Sequence, residues 1–109
     1  MQQLSDTFHT IARTSEGYFR DKGSKFYSFA YPVTSEEQVR TILADIKKKY
    51  YDAHHHCYAY SIGTGNELKF RINDDGEPSG SAGRPIYGQM LSADITDALI
   101  IVVRYFGGI

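Results

Sequence analysis

The sequence predicts an α+β domain whose strands pair into a sheet. Three observations carry that expectation: β-favouring runs joined in pairs by glycine-bearing turns, one amphipathic stretch with helical spacing and its own start signal, and a continuous apolar run at 98–103. With 109 residues, 41% of them hydrophobic and 23% charged, the chain is sized for one core. Its composition is that of a folded domain, not a disordered one.

Residues 8–13 and 26–31 are rich in aromatic and β-favouring side chains, and the turn formers Ser15-Glu16-Gly17 and Asp21-Lys22-Gly23 bracket them. They read as an opening antiparallel pair. A helix then starts at Thr34 or Ser35, because Thr34 with Glu37, or Ser35 with Gln38, fits the capping box that satisfies the first free amides of a helix. Val39, Ile42, Leu43, Ile46 and Tyr50 follow at helical spacing. Two further strands, at about 55–62 and 67–72, are joined through Gly63-Thr64-Gly65-Asn66, whose glycines can take the positive φ of a hairpin turn. Leu68, Phe70 and Ile72 alternate with Glu67, Lys69 and Arg71, which predicts one buried and one wet face.

A short helix is expected at 85–91, with Ile86, Met90 and Leu91 inward and Pro85 in its first turn, where a missing amide is tolerated. The run 98–103 is continuous and β-branched, as in a central strand covered on both faces. The sequence ends directly after this strand, so it reads as a single domain over 1–109 that is incomplete at its C-terminus. A strand left at a sheet edge by such an end would pair readily with another chain.

The net charge of −1 provides no global attraction to a polyanion or a membrane surface, so any nucleic-acid contact must come from a local patch. The single cysteine, Cys57, excludes an internal disulfide, and the opening ten residues lack the basic-then-apolar pattern of a secretory signal. The chain reads as cytoplasmic. Its longest apolar run falls far short of the ~20 residues that span a bilayer.

The segment Asn73-Asp74-Asp75-Gly76-Glu77-Pro78-Ser79-Gly80-Ser81-Ala82-Gly83 sets three carboxylates before a glycine-rich run that opens a helix. Small residues let backbone amides approach an anion, the helix start carries partial positive charge, and Arg84 adds a bidentate donor. Against an anion cradle, the pattern is neither a P-loop nor a dinucleotide fingerprint, and the carboxylates would repel the same guest. The plainer reading, a tight turn whose carboxylates cap backbone amides, is favoured. Magnesium at the carboxylates is the weaker alternative, since the spacing is not that of an EF-hand.

His54-His55-His56-Cys57 resembles a metal site, but strand alternation puts His55 and Cys57 on one face and His54 and His56 on the other. At most two ligands then converge, where a structural zinc site needs four. A buried cysteine is more often inert packing than a nucleophile. Lys47-Lys48-Lys49 complements the C-terminal dipole of the first helix, or joins Lys22, Lys25, Lys69, Arg71 and Arg84 in a phosphate-binding patch. Tyr27, Phe29 and Tyr31 share a strand face with Lys25 and would stack bases if that face is open, or fill the core if it is not.

The segment 74–85 (DDGEPSGSAGRP), followed by Arg104-Tyr105-Phe106-Gly107-Gly108, strongly resembles the signature of the IMPACT/YigZ family, N-terminal domain. Gly23-Ser24-Lys25-Phe26 and His55-His56-Cys57-Tyr58-Ala59-Tyr60 extend the resemblance in the same order over most of the chain. Ser81 stands where threonine is usual, Asn73 where serine is common and His56 where asparagine is frequent. The resemblance implies a two-layer α+β sandwich, a mixed or antiparallel sheet with helices on one face. That fold is similar to the second domain of a small-subunit ribosomal protein and to domain IV of elongation factor G. Members continue beyond the Gly-Gly pair, often into a ferredoxin-like second domain. Eukaryotic members look like translational regulators that bind the activator of a starvation-responsive kinase, and no established reaction, catalytic residue or cofactor comes with the family pattern.

On this reading the chain is a noncatalytic binding module acting around translation, on RNA, the ribosome or a translation-associated protein. Its candidate contact residues are Asp74, Asp75, Gly76, Glu77, Ser79, Gly80, Ser81, Gly83, Arg84, Arg104, Tyr105, Gly107 and Gly108, with Lys25, His55, Cys57 and Tyr60 as secondary candidates. Arg84 and Arg104 would meet an anionic partner while the carboxylates orient them. The rival is a hydrolase or transferase for a small phosphorylated or carboxylated ligand, with the same loop as anion cradle and a carboxylate as base.

Overall fold

The computed structural model describes residues 11–21, 23–73, 75 and 83–106. Strands β1 (Ser15–Asp21) and β2 (Ser24–Pro32) form an antiparallel hairpin in which Asp21 faces Ser24, and Gly23 takes the positive φ of 84° that so tight a connection demands. Pairing propagates from that turn, so 15–17, expected to be a turn, is strand instead. Of the strand expected at 8–13, residues 8–10 lie outside the described residues and 11–13 are not strand; β1 begins at Ser15. Gly17 lies in it opposite Ser28, and a Cβ there would come within 2.8 Å of Ser28 Oγ.

Helix α1 spans Glu36–Lys49. Of the two possible caps the chain uses the second: the Gln38 amide donates to Ser35 Oγ at 3.2 Å, and Gln38 Oε1 accepts from the Thr34 amide at 2.6 Å. Strand β3 (His55–Ile62) follows, then a 3-10 turn at Gly65–Glu67 and strand β4 (Lys69–Asn73). Gly63 and Gly65 carry φ of 82° and 58°, as the hairpin reading requires. Helix α2 (Gly83–Ser92) places Pro85 in its first turn, and β5 (Ala98–Tyr105) ends the described chain.

The sheet order is β1-β2-β5-β3-β4 with every pair antiparallel. β5 is thus flanked by β2 and β3, the central strand that its apolar run predicts. Its alternate residues serve two cores. Leu99, Ile101 and Val103 meet Val39, Leu43 and Ile46 of α1, with Phe29, Tyr58 and Tyr60 beside them. Ala98 and Ile100 face the other way, toward Met90 of α2, Ala59 and Ile72.

The α+β class and the antiparallel sheet match the expectation, but the helices do not share a face: α1 covers one side and α2 the other. The reason is written in β5, whose unbroken apolar run must be shielded on both sides. The same arrangement settles Tyr27, Phe29 and Tyr31. Phe29 is buried and the two tyrosines pack against the α1 core, so this face is closed and cannot stack bases. β4 departs as well. It is an edge strand: Phe70, like Leu68 just before it, stays exposed, and Phe70 stacks on Tyr87 at 4.7 Å.

Candidate functional site

Among the described candidates, Asp75, His55, Lys25, Arg104 and Tyr105 lie toward the end of the sheet where β3 begins and β5 finishes, whereas Tyr60 lies toward the other end, opposite Leu99. Asp74, Gly76, Glu77, Ser79, Gly80, Ser81, Gly107 and Gly108 lie outside the described residues. Gly83 and Arg84 open α2. Asp75, His55, Cys57, Tyr60, Arg104, Tyr105 and Lys25 are placed, and they divide into three groups.

The first group fastens the acidic loop to the sheet. Asp75 sits in the left-handed region at φ 51°, which an aspartate tolerates better than most residues, and its amide donates to Asn73 Oδ1 at 2.7 Å. Its carboxylate Oδ2 accepts from the His56 amide at 2.6 Å, while its carbonyl oxygen lies 2.7 Å from His55 Nδ1. A carbonyl only accepts, so His55 carries its proton on Nδ1. The same logic puts the His56 proton on Nε2, which meets the Tyr50 carbonyl at 2.8 Å and leaves Nδ1 3.6 Å from Asp75 Oδ2. His54 completes the clamp by accepting the Phe106 amide on Nδ1 at 3.0 Å.

Each histidine therefore holds a different segment. The run joins the end of α1, Asp75 and the Arg104-Tyr105-Phe106 corner, while the tight turn expected at Gly76, Pro78 and Gly80 lies outside the described residues. Among the described residues no group of three or more His, Cys, Asp or Glu is placed to hold a metal ion. Cys57 is not in a disulfide and is fully buried on the α2 face, two positions along from His55.

The second group ties α1 to the sheet at both ends. Tyr60 donates its hydroxyl to Glu36 Oε2 in the first turn of α1 at 2.5 Å, and Tyr105 donates to Asp52 Oδ1, just past the helix, at 2.8 Å. Burial first, and the hydrogen-bonded carboxylate second, push the Tyr60 phenol up to about 12, and the same causes raise Tyr105 to about 12 from the usual 10.0. Both candidates are architectural in this arrangement. An unfolded tyrosine ionises near 10, so between pH 10 and 12 the unfolded chain has released protons that the folded chain retains, and stability falls as pH rises through that window. Tyr60→Phe is expected to make this fall shallower. Denaturation midpoints at stepped pH check it, and a slope equal to that of the unmodified chain would discard the assignment.

The third group surrounds Arg104, whose guanidinium lies over the Phe26 ring at 5.2 Å and the Phe106 ring at 4.7 Å. Phe106 also meets His54 and His55, with ring centroids 4.5 and 5.5 Å away. Lys25 is exposed and stands between Arg20 and Tyr105 in the register. Sequence reasoning named Arg104 but missed its aromatic neighbours. The signal was available: a two-residue turn after Asp21 puts Phe19 opposite Phe26 by counting alone.

Residues 22–109 match the Impact N-terminal domain family. The chain is 34% identical over 103 residues to the IMPACT family member YvyE of Bacillus subtilis, covering 94% of this chain and 47% of the relative. Among solved structures, one described as a hypothetical protein superposes with a TM-score of 0.83 at 29% identity, over 97% of this chain and 52% of its own. The two-domain translational regulator Yih1 superposes with a TM-score of 0.64 at 26% identity, over 99% of this chain and 43% of its own. The chain thus spans about half the length of these relatives.

Proposed function

The chain belongs to the Impact N-terminal domain family, and on that premise we propose that it is a noncatalytic binding module in translational control whose partner is RNA. The observation that carries this reading is the likeness in both sequence and fold to the translational regulator Yih1 along nearly the whole chain. Two features support it. With a net charge of −1, binding to a polyanion has to be local, and Arg104 supplies a cation held in place by two rings. Of the two carboxylates the rival reading offers as base, Asp75 and Glu77, the first is engaged by the His56 amide.

A phosphate-contacting module loses affinity linearly in log–log terms as salt rises, with a slope of roughly −0.7 per phosphate neutralised on a single strand. Arg84→Gln and Arg104→Gln are each expected to flatten that slope by about 0.7–1. Titrations of labelled RNA at several salt concentrations measure this. A flat response in the unmodified chain counts against RNA and points to a translation-associated protein instead. Turnover of a phosphate ester that disappears in Asp75→Asn would favour the enzyme.

A further inference from the structure

We propose that strand β1 is a self-pairing edge: two copies of this chain join antiparallel along it, centred on Tyr18, into one continuous sheet. In the order β1-β2-β5-β3-β4, β1 and β4 are the two edges. The hairpin turn fixes which groups β1 offers. Asp21 and Ser24 close a two-residue turn and so form a hydrogen-bonded pair. Alternation along an antiparallel ladder then aims the amides and carbonyls of Phe19, Gly17 and Ser15 at β2, and those of Arg20, Tyr18 and Glu16 outward. Among the described residues, no backbone hydrogen bond from another segment reaches these three. Residues 15–20 are all exposed, with Tyr18 51% and Phe19 53% open to water.

Pairing about a two-fold axis allows few registers. Opposed residues must point to the same face, so the axis passes through a residue, and centring it on Tyr18 is the choice that uses the whole of Ser15–Asp21. Every outward group then meets another outward group. Tyr18 faces Tyr18 of the second copy, and Glu16 faces its Arg20, twice by symmetry. Gly17 faces Phe19 of the second copy, whose ring covers backbone that the glycine leaves bare.

Charge commits the edge to this occupant. Across the hairpin Arg20 faces Lys25, a like charge, and Glu16 faces Phe29. Among the described residues neither Arg20 nor Glu16 makes an ion pair. A second β1 brings the opposite charge to both. Natural sheet edges carry charge that keeps copies apart, and β4 follows that rule: pairing centred on the middle of Lys69–Asn73 sets Arg71 against itself. Of the two edges, β1 is the self-complementary one. Glu16, Tyr18 and Arg20 project on the α1 side, where a groove of about 350 Å³ is lined by Glu16, Tyr18, Tyr27, Phe29 and Tyr50. The aliphatic stem of Arg20 from the second copy has apolar surface there to lie on.

The proposal does not depend on the RNA reading above. A contact along one seven-residue strand is smaller than a standard interface, so the expected Kd is roughly 10–100 µM. Sedimentation equilibrium of the full 109-residue chain, from about 1 to about 500 µM, should show a reversible monomer–dimer equilibrium. Glu16→Arg sets like charges opposite each other at both sites, as does Arg20→Glu, and each should weaken self-association about tenfold or more. An equimolar mixture of the two variants sets unlike charges opposite again and should recover the dimer. Asp45→Arg makes the same change in net charge as Glu16→Arg at an exposed position of α1, and it should leave the constant unchanged. Circular dichroism confirms that each variant folds. Arg20→Glu also relieves the like-charge contact with Lys25, so it decides the matter alone if Glu16→Arg does not fold. A chain that stays monomeric across the range overturns the proposal. So does a dimer that the charge reversals leave intact, or one that the mixture of folded variants fails to restore.

Discussion

Ile101→Ala is expected to destabilise the domain by about 2–5 kcal/mol, the range for removing a large aliphatic side chain from a rigid core. Ile101 is fully buried on the central strand, beneath α1 and beside Phe29, Tyr58, Leu99 and Val103. Neighbours on strands bonded from both sides cannot collapse into the space without breaking ladder pairs. The upper half of the range therefore applies. Folded domains are stable by only about 5–15 kcal/mol, so the loss takes a large share of the total. Ile101→Val removes one methylene and should cost about 0.5–1.5 kcal/mol. Denaturant titration should show a lower midpoint at an unchanged slope for both variants. Equal midpoints for Ile101→Ala and the unmodified chain would mean that α1 does not close over β5 as described.

Gly63→Ala should be the next most damaging, at about 2–3 kcal/mol from left-handed strain together with a backbone collision. Gly63 carries φ +82°, and a Cβ there would stand 2.8 Å from the Glu67 carbonyl oxygen. That oxygen is main chain, so it cannot swing aside. Relief by shifting Gly63 is blocked as well: its amide donates to Asp97 Oδ1 at 3.0 Å and its carbonyl accepts from the buried Thr96 hydroxyl at 2.5 Å. The β3–β4 hairpin is thereby locked to the turn that launches β5. Gly65→Ala is the natural control, since its φ is also positive but no atom lies within 4 Å of an added Cβ. Its cost should be smaller, and the difference between the two variants reads out the collision. Equal losses would leave strain alone as the cause.

Much of the fold was legible because local chemistry states it. Ser35 and Gln38 announce the start of α1, Gly63 and Gly65 announce the hairpin, and the apolar run at 98–103 announces a strand covered on both sides. The start of β1 was misread because Gly17 looks like a turn residue in isolation. Only its opposition to Ser28 explains it as a strand glycine. The same limit applied to the aromatics: Phe29 and Phe19 are equivalent by type, yet one is buried beneath α1 and the other half exposed on the opposite face.

The candidate site divides along the same line. Sequence named Asp75, His55, Tyr60, Arg104 and Tyr105 through motif resemblance, but it could not distinguish contact residues from architecture. Tyr60 and Tyr105 prove to hold α1 through Glu36 and Asp52, and His56 and Asp75 to clamp a loop, because residues about 20 or more positions apart meet only when the sheet assembles.

By itself, then, the amino-acid order determined the α+β class, the start of α1, the turn glycines and the family, since each depends on neighbours a few positions away or on a motif read in line. Strand order, the assignment of α1 and α2 to opposite faces, and the place of β1 at an edge were decided by tertiary structure. They depend on which strands lie side by side, and that is fixed only when β5 inserts between β2 and β3 to bury both of its faces.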